Sequence, residues 1–426
     1  MPPASPDDAI YVAKNSNRPP GECQLVITIP PVDQDGTTLV KCTHLTIAQV
    51  PGRYGVILSK PWWAWGGEMG ANDKGVVVVS EAVITRDHEL EPGLIGMDLV
   101  RLGLERGGTA QESLHVITAL LQTHGQGGAC WYRDPTVSYD NSFLIADANE
   151  VWMLETAGRH WAVKQIEGIT VLSSRPSLAT DYDQSSYALT QYAQLKGWSE
   201  GAEDVDFAAA FSHKSRLPAG GSQQRYKRLT QLLAALEGEY PHLELMQVLR
   251  KRKKVAPRGR SKEDIALRAG GRSRNLQTTA SMVARLSRRR QDFFFTGTSA
   301  PDLSVFKPVH FDLPLKAQPQ DTDLSRYHED SLWWRHERFH RAVLLSARLE
   351  EAYCQDRDEL ERNMVTDLAA HKGRQLSNIR RQIQDNLLKW EDTWLEKSLT
   401  YKAPVLSVSP FVRYWKRQNR QDGIDF

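Results

Sequence analysis

Cysteine is scarce in this 426-residue chain, with four residues at positions 23, 42, 130 and 354. They show no C-x-x-C spacing for a metal and no density that suggests a disulfide scaffold. Charge of one sign is also missing. The 54 basic and 52 acidic residues leave a net +2, so no global field draws the chain to nucleic acid or to a membrane surface. No run approaches the about 18 apolar residues of a membrane span, since the run Val76 to Val79 soon meets Ser80 and Glu81. The start lacks the basic and apolar regions of a signal peptide, and no internal repeat of solenoid period appears. These absences set the expectations: a soluble protein of the reducing cytoplasm, without cofactor or metal, and with no nucleic-acid or membrane partner.

What is present reads as mixed α and β. At this length, one large domain with an appendage and two domains fit equally well. Residues 38–49 and 54–59 read as strands around Pro51-Gly52, and Asn72-Asp73-Lys74-Gly75 turns into a valine strand. Thr109 and Glu112 form a capping box, with the glutamate placed to reach back over the first turn. The helix that follows carries Leu114, Ile117, Leu120 and Leu121 on one face and stops near Gly125. Phe143 to Ile145 and Val151 to Leu154 flank Asp147-Ala148-Asn149 as a hairpin. Paired strands around a helical block predict α+β with antiparallel sheet rather than alternating βαβ. Strand signals return at Asp292 to Phe295. From about Ser331 to Leu399 Gly and Pro are nearly absent and apolar residues recur at helical spacing, which predicts two or three helices.

The first dozen residues carry the sharpest local signal. Ile10-Tyr11-Val12 is a β-branched and aromatic run suited to a strand. Ser5-Pro6-Asp7-Asp8 before it is turn chemistry. Only Met1, Pro2, Pro3 and Ala4 precede that turn, and two prolines remove ladder donors. The segment Val12-Ala13-Lys14-Asn15-Ser16-Asn17-Arg18-Pro19-Pro20-Gly21-Glu22 resembles the end of the first β-hairpin in secernins and related dipeptidases, which are N-terminal-nucleophile hydrolases. Further segments resemble the family in order: Ser59 to Asn72, Gly96 to Gly107, Gly125 to Gly128, Leu154 to Arg159, Gln277 to Val283, and Thr296-Gly297-Thr298 leading to Ser304 to Pro308.

That resemblance implies a four-layer αββα fold over residues 1–325, with a basic insertion at about 250–274, and a helical tail at 326–426. It also implies a mechanism. An N-terminal cysteine thiolate attacks an amide carbonyl, and the α-amine of the same residue serves as base. Polar side chains and backbone N–H groups then stabilise the oxyanion. Carried over by position, Lys14 matches the basic residue of the second strand, and Asn17 stands where relatives place an aspartate near the amine. Ser174 and Ser80 stand where asparagines are usual, and Arg225 resembles a buried arginine of the superfamily. The nucleophile itself has no counterpart, because no cysteine precedes Cys23. Asn17 accepts a hydrogen bond but cannot hold an ammonium by charge, and Ser174 reaches less far than asparagine. Two expectations stay open: a dipeptidase acting on small peptides whose start lies upstream of Met1, and a pseudoenzyme that keeps the fold as a binding module.

Plainer readings stand beside these. Lys14 and Arg18 fit exposed charges flanking a strand, Asn17 and Ser174 fit turn formers, and Trp62, Trp63 and Trp65 fit core or cleft wall. His336-Glu337-Arg338-Phe339-His340 matches the H-E-x-x-H zinc peptidase pattern, a third alternative. Arg335, Arg338 and Arg341 crowd that site with positive charge, and no later histidine completes a set, so no metal is expected. The basic run at 250–262 reads as a solvated loop. Cys23, Cys42 and Cys130 read as ordinary buried thiols.

Overall fold

The computed structural model describes residues 9–87, 91–200, 205–213, 221–253, 261–271, 275–344, 347–400 and 409–425. The turn expected at Ser5 to Asp8 lies outside them, as do Lys254, Arg258 and Arg260 of the basic run. The chain divides into two compact units. The first comprises Met1–Val12, Thr28–Ala235 and Arg285–Gln291; the second comprises Ala13–Ile27, Leu236–Ala284 and Asp292–Phe426. Two strands come first, β1 (Ile10–Arg18) and β2 (Gln24–Ile29).

The first unit opens with a small hairpin, β3 (Leu39–Lys41) and β4 (Thr46–Ala48). The single strand expected over 38–49 is therefore two. Thr43 marks the break, because its hydroxyl and N–H both bond the buried Asp98 carboxylate, at 2.6 and 3.2 Å. A meander follows through β5 (Val56–Pro61), β6 (Met69–Asn72) and β7 (Val77–Val83). Asn72 shapes its turn by accepting from the N–H groups of Lys74 and Val76, and Gly75 supplies the positive φ of 86°. Helices α1 (Gly96–Arg106) and α2 (Ala110–His124) come next. Thr109 caps α2 as expected, while Glu112 reaches the N–H of Gly108, one residue before the cap. Gly125 ends the helix.

Strands β8 (Asp140–Ala146), β9 (Val151–Ala157), β10 (His160–Gln165) and β11 (Gln184–Ser185) complete the unit's sheet, in the order β11-β10-β9-β8-β7-β6-β5. Neighbours in this run pair antiparallel. Helices α1 and α2 pack on one face. Against the other lie Leu178 and helices α3 (Leu189–Leu195) and α4 (Phe207–Phe211), which join Met153, Ala157 and Ala162 in one apolar cluster. Phe207 and Phe211 are fully buried there, each worth about 1.5–3 kcal/mol. Helix α5 (Ser222–Ala234) follows.

The second unit holds α6 (Pro241–Leu249) and a four-stranded sheet, ordered β1-β12-β13-β14, with β12 (Gln277–Leu286), β13 (Gln291–Phe295) and β14 (Lys307–Val309). Among the described residues β1 is an edge strand of this sheet. The two sheets that a four-layer arrangement requires are thus both present. The helical tail belongs to this second unit and runs through α7 (Leu332–Val343), α8 (Ala347–Ala370), α9 (Gly373–Thr400) and α10 (Pro410–Asp422). Buried ion pairs fasten it. Glu361 of α8 takes both terminal nitrogens of Arg250 at 2.6 Å, Glu391 of α9 meets the fully buried Lys307 at 2.7 Å, and Arg380 of α9 meets Asp292 at 2.8 Å. Arg250, first of the basic run, is therefore a buried tie rather than part of a solvated loop. No described helix is long and apolar enough to cross a membrane.

Candidate active site

Alternation along β1 decides what its polar residues touch. Val12, Lys14, Ser16 and Arg18 are buried along one face, while Asn15 and Asn17 point to the other. Lys14 is 8% exposed and its ammonium donates to the Asn15 carbonyl at 3.0 Å. Arg18 is 1% exposed and pairs with Glu22 at 2.7 Å. Both expected surface charges are interior. Asn15 is spent on structure: it donates to the carbonyls of Leu249 and Ile265 and accepts from Ser281. Asn17 accepts the Thr278 hydroxyl at 2.7 Å. Lys14 and Asn17 thus share a strand but not a face.

The first unit contains the other three candidates. On β7, Ser80 pairs across to Phe143 and Glu81 to Ser142, which in turn faces Glu155. Glu81, Ser142 and Glu155 stand side by side on one face, and Ser80 on the opposite one. The Ser80 face is the one that α1 and α2 cover: Asn141, cross-strand partner of Ala82, accepts from Gln126 just past α2, and Gly96 of α1 lies so close that an added Cβ would meet the Asn141 amide at 2.1 Å. Ser80 Oγ donates to the Glu68 carbonyl at 3.2 Å. Ser80 therefore stands on the face under α1 and α2, and Glu81 on the opposite one.

Glu81 accepts the Ser174 hydroxyl at 2.7 Å. Arg225, half-buried on α5, has its pKa lowered by burial, with the Glu81 carboxylate opposing that shift. The structure therefore brings Ser174 to Glu81, and leaves Ser80 on the opposite face. Glu81 was missed because a charged residue inside a valine strand reads as an interruption. Its signal was parity with Ser142 and Glu155, two further polar residues on the same face.

Glu155 holds the segment that carries Ser174. It is fully buried, and accepts from the Ser177 N–H and hydroxyl at 2.8 Å and from the Leu178 N–H at 2.9 Å. Burial raises its pKa, and these donors oppose the shift. A separate hollow of about 390 Å³, with Met153, Lys164, Ser177, Asp181 and Tyr226 on its walls, does not include Glu81, Ser174 or Arg225.

The cysteines and the tail motif provide no second centre. Cys23 is fully buried with Sγ 3.8 Å from Ser331 Oγ. Cys42 is pushed up to about 12 by burial and by Asp98, and burial also raises Cys354. Cys130 packs with Ala64, Ile95 and Met97. A thiolate is the nucleophile in such chemistry, and these environments disfavour it at Cys42 and Cys354. On α7, Glu337 accepts from Arg341 at 2.9 Å, Gln277 at 3.1 Å, Ser299 and His340. Burial alone would raise its pKa, but Arg341 and His340 hold it well below the carboxylate range. His336 turns to Ser304 at 3.1 Å, and burial lowers it to about 3. The motif is a packed polar core in which the glutamate is already saturated. Trp65 lies 3.9 Å from ring to the Arg101 guanidinium, and Trp62 meets Tyr132 edge-on, so these rings are engaged in packing.

Residues 66–216 match Peptidase family C69. That stretch runs from Gly66 through β6 to β10 to just beyond α4, so it spans Glu81, Glu155 and Ser174. Among solved structures, the chain is similar to a variant of conjugated bile acid hydrolase from Clostridium perfringens, at 12% identity and a TM-score of 0.42, covering 72% of this chain and 90% of that one. It is also similar to penicillin V acylase from Agrobacterium tumefaciens, at 12% identity and a TM-score of 0.40, covering 75% and 86%.

Proposed function

We propose that this chain, a peptidase family C69 protein over residues 66–216, has the scaffold of a secernin-like dipeptidase, which hydrolyses peptide amide bonds with an N-terminal cysteine. The observation that carries this reading is the family match itself, which covers the sheet strands bearing Glu81 and Glu155 and the segment bearing Ser174. None of Cys23, Cys42, Cys130 and Cys354 has a free α-amine, so none serves as both nucleophile and base. Chemistry of this type needs a cysteine placed ahead of β1. Expressed from Met1, the protein should not cleave dipeptides. A version extended upstream by a strand that begins with cysteine should cleave them, and its Cys→Ala counterpart should not. Cleavage by the chain from Met1, against a matched blank, would overturn the assignment of the nucleophile. An inactive extended chain would overturn the dipeptidase reading.

One observation favours a second reading, a catalytically inactive binding module on the same scaffold. Oxyanion stabilisation needs a donor whose proton points to where charge develops. The single hydroxyl proton of Ser174 is directed to Glu81 instead. A carboxylate beside the donor also opposes a second negative charge. Substituting Ser174→Asn and Glu81→Asn in the extended chain distinguishes the two: activity gained only with these changes identifies the inactive module.

A further inference from the structure

Where three tail helices of the second unit meet, each leaves one buried polar atom without a hydrogen bond among the described residues. These are Nε of Arg335 on α7, Oη of Tyr353 on α8 and Oε2 of Glu391 on α9. All three side chains line one cavity of about 20 Å³, with Leu332, Phe339 and Trp394 among its other walls. Their remaining contacts leave these atoms unused. Arg335 reaches Asp392 through a terminal nitrogen at 2.9 Å, and Glu391 meets Lys307 through its other oxygen at 2.7 Å. Tyr353 is 1% exposed and its ring packs on Phe339 and Trp394. Native interiors leave few polar groups unpaired, and each is costly. Three on the walls of one small cavity point to a shared partner.

The kinds of atom on the walls identify that partner. The Arg335 Nε–H and the phenol donate, and the carboxylate oxygen accepts. A metal cation would meet the Arg335 donor and its positive charge, and an anion would meet the Glu391 carboxylate. The ligand is therefore neutral, both donor and acceptor, and small. One water needs about 10–15 Å³ and two to four polar partners, which this cavity provides. We propose that it is the binding site of a single structural water, which accepts from Arg335 Nε and Tyr353 Oη and donates to Glu391 Oε2. The water is then a common ligand of α7, α8 and α9. Because Glu391 also holds Lys307 of β14, it joins the three-helix junction to the sheet of this unit. The site uses no residue of the family-matched stretch, so it stands or falls independently of the peptidase reading.

Two measurements on the full chain test this. A crystal structure at a resolution that reveals ordered water should show one peak in the cavity, about 2.7–3.2 Å from each of the three atoms. Tyr353→Phe then gives an effect whose sign depends on the water, while the ring and its packing are kept. With the water bound, the change removes one of its hydrogen bonds, and the urea midpoint should fall by about 0.2–0.5 M. Without it, the phenol is a buried hydroxyl with nothing to offset its desolvation, and its removal should raise the midpoint. A dry cavity, a direct hydrogen bond between Tyr353 and Glu391, a peak with the anomalous signal of an ion, or a midpoint that rises or stays level in Tyr353→Phe would each overturn the inference. The density decides the matter even if the variant does not fold.

Discussion

Two carboxylates, one in each unit, show how burial separates architecture from chemistry. Glu337 in the second unit is fully buried and surrounded by Arg341, Gln277, Ser299 and His340. Glu81 in the first unit is half-buried and bonded to Ser174 at 2.7 Å. Motif reading favours the first, because it lies in H-E-x-x-H. Its physical surroundings argue the other way, because a saturated carboxylate has nothing left to offer a ligand. Arg341 is likewise closed, between Glu337 and Asp422.

The largest effect should come from breaking a saturated pair. Glu361→Ala leaves Arg250 buried with its charge uncompensated, which costs about 3–5 kcal/mol. Urea denaturation should show it as a clear fall in midpoint, while Glu81→Gln should shift stability by less than about 1 kcal/mol. Equal losses would erase the distinction between the two regions.

Acid should act on the saturated region next. His336 is held neutral in the fold, lowered to about 3 by burial, against about 6.5 for a free imidazole. Between those values the unfolded chain binds a proton that the folded chain refuses, so stability falls as pH drops from 6.5 toward 3, by at most about 1.4 kcal/mol per pH unit. Glu337, depressed below its ordinary value, contributes stability that is present above the unfolded carboxylate pKa and is lost only on further acidification. His336→Gln should flatten the upper part of that decline in denaturation curves at pH 7, 6, 5 and 4. An unchanged slope would show that His336 protonates freely.

How far the sequence reaches follows from the same contrast. Turn chemistry around Asn72, the cap at Thr109 and the hairpin at Asp147 were legible because each depends on residues adjacent in the chain. The hairpin inside 38–49 was not, because the break at Thr43 is made by Asp98, 55 positions away. Helix α10 falls inside the helical tail expected at 326–426, though past Leu399 where the helical spacing was read, and Asp422 at its end closes on Arg341. Of the site residues, Ser174 and Arg225 were placed by resemblance. Ser80, placed the same way, lies on the opposite face of β7 from Glu81, because family likeness fixes a neighbourhood while strand parity fixes a face.

That parity makes the third prediction. Ser80→Ala removes a hydroxyl that bonds only the Glu68 carbonyl among the described residues, so peptide binding should stay within about twofold, the lost hydrogen bond costing about 1 kcal/mol of stability. Ser174→Ala removes the hydroxyl that donates to Glu81 and should weaken binding of the unblocked dipeptide several-fold. Titration of both variants with the same ligand ranks them, and a larger loss from Ser80→Ala would return the site to the face under α1 and α2.

The smallest effect should come from Asn17. Its carbonyl oxygen accepts from Thr278 at 2.7 Å on the face of β1 opposite Lys14. Asn17→Asp keeps that acceptor, since either carboxylate oxygen takes the same hydroxyl proton. The added charge lies at a half-buried position, where solvent still reaches it. Stability should therefore change by less than about 1 kcal/mol, and peptide affinity by less than about twofold. Asn17→Ala is the control, because it leaves the Thr278 hydroxyl without its partner and should cost about 1 kcal/mol. The pair of variants separates an acceptor that braces β1 against β12 from a charge that waits for an ammonium. If Asn17→Asp raised affinity for unblocked dipeptides several-fold while Asn17→Ala left it unchanged, the missing charge at position 17 would be limiting. The ammonium would then belong to Asn17.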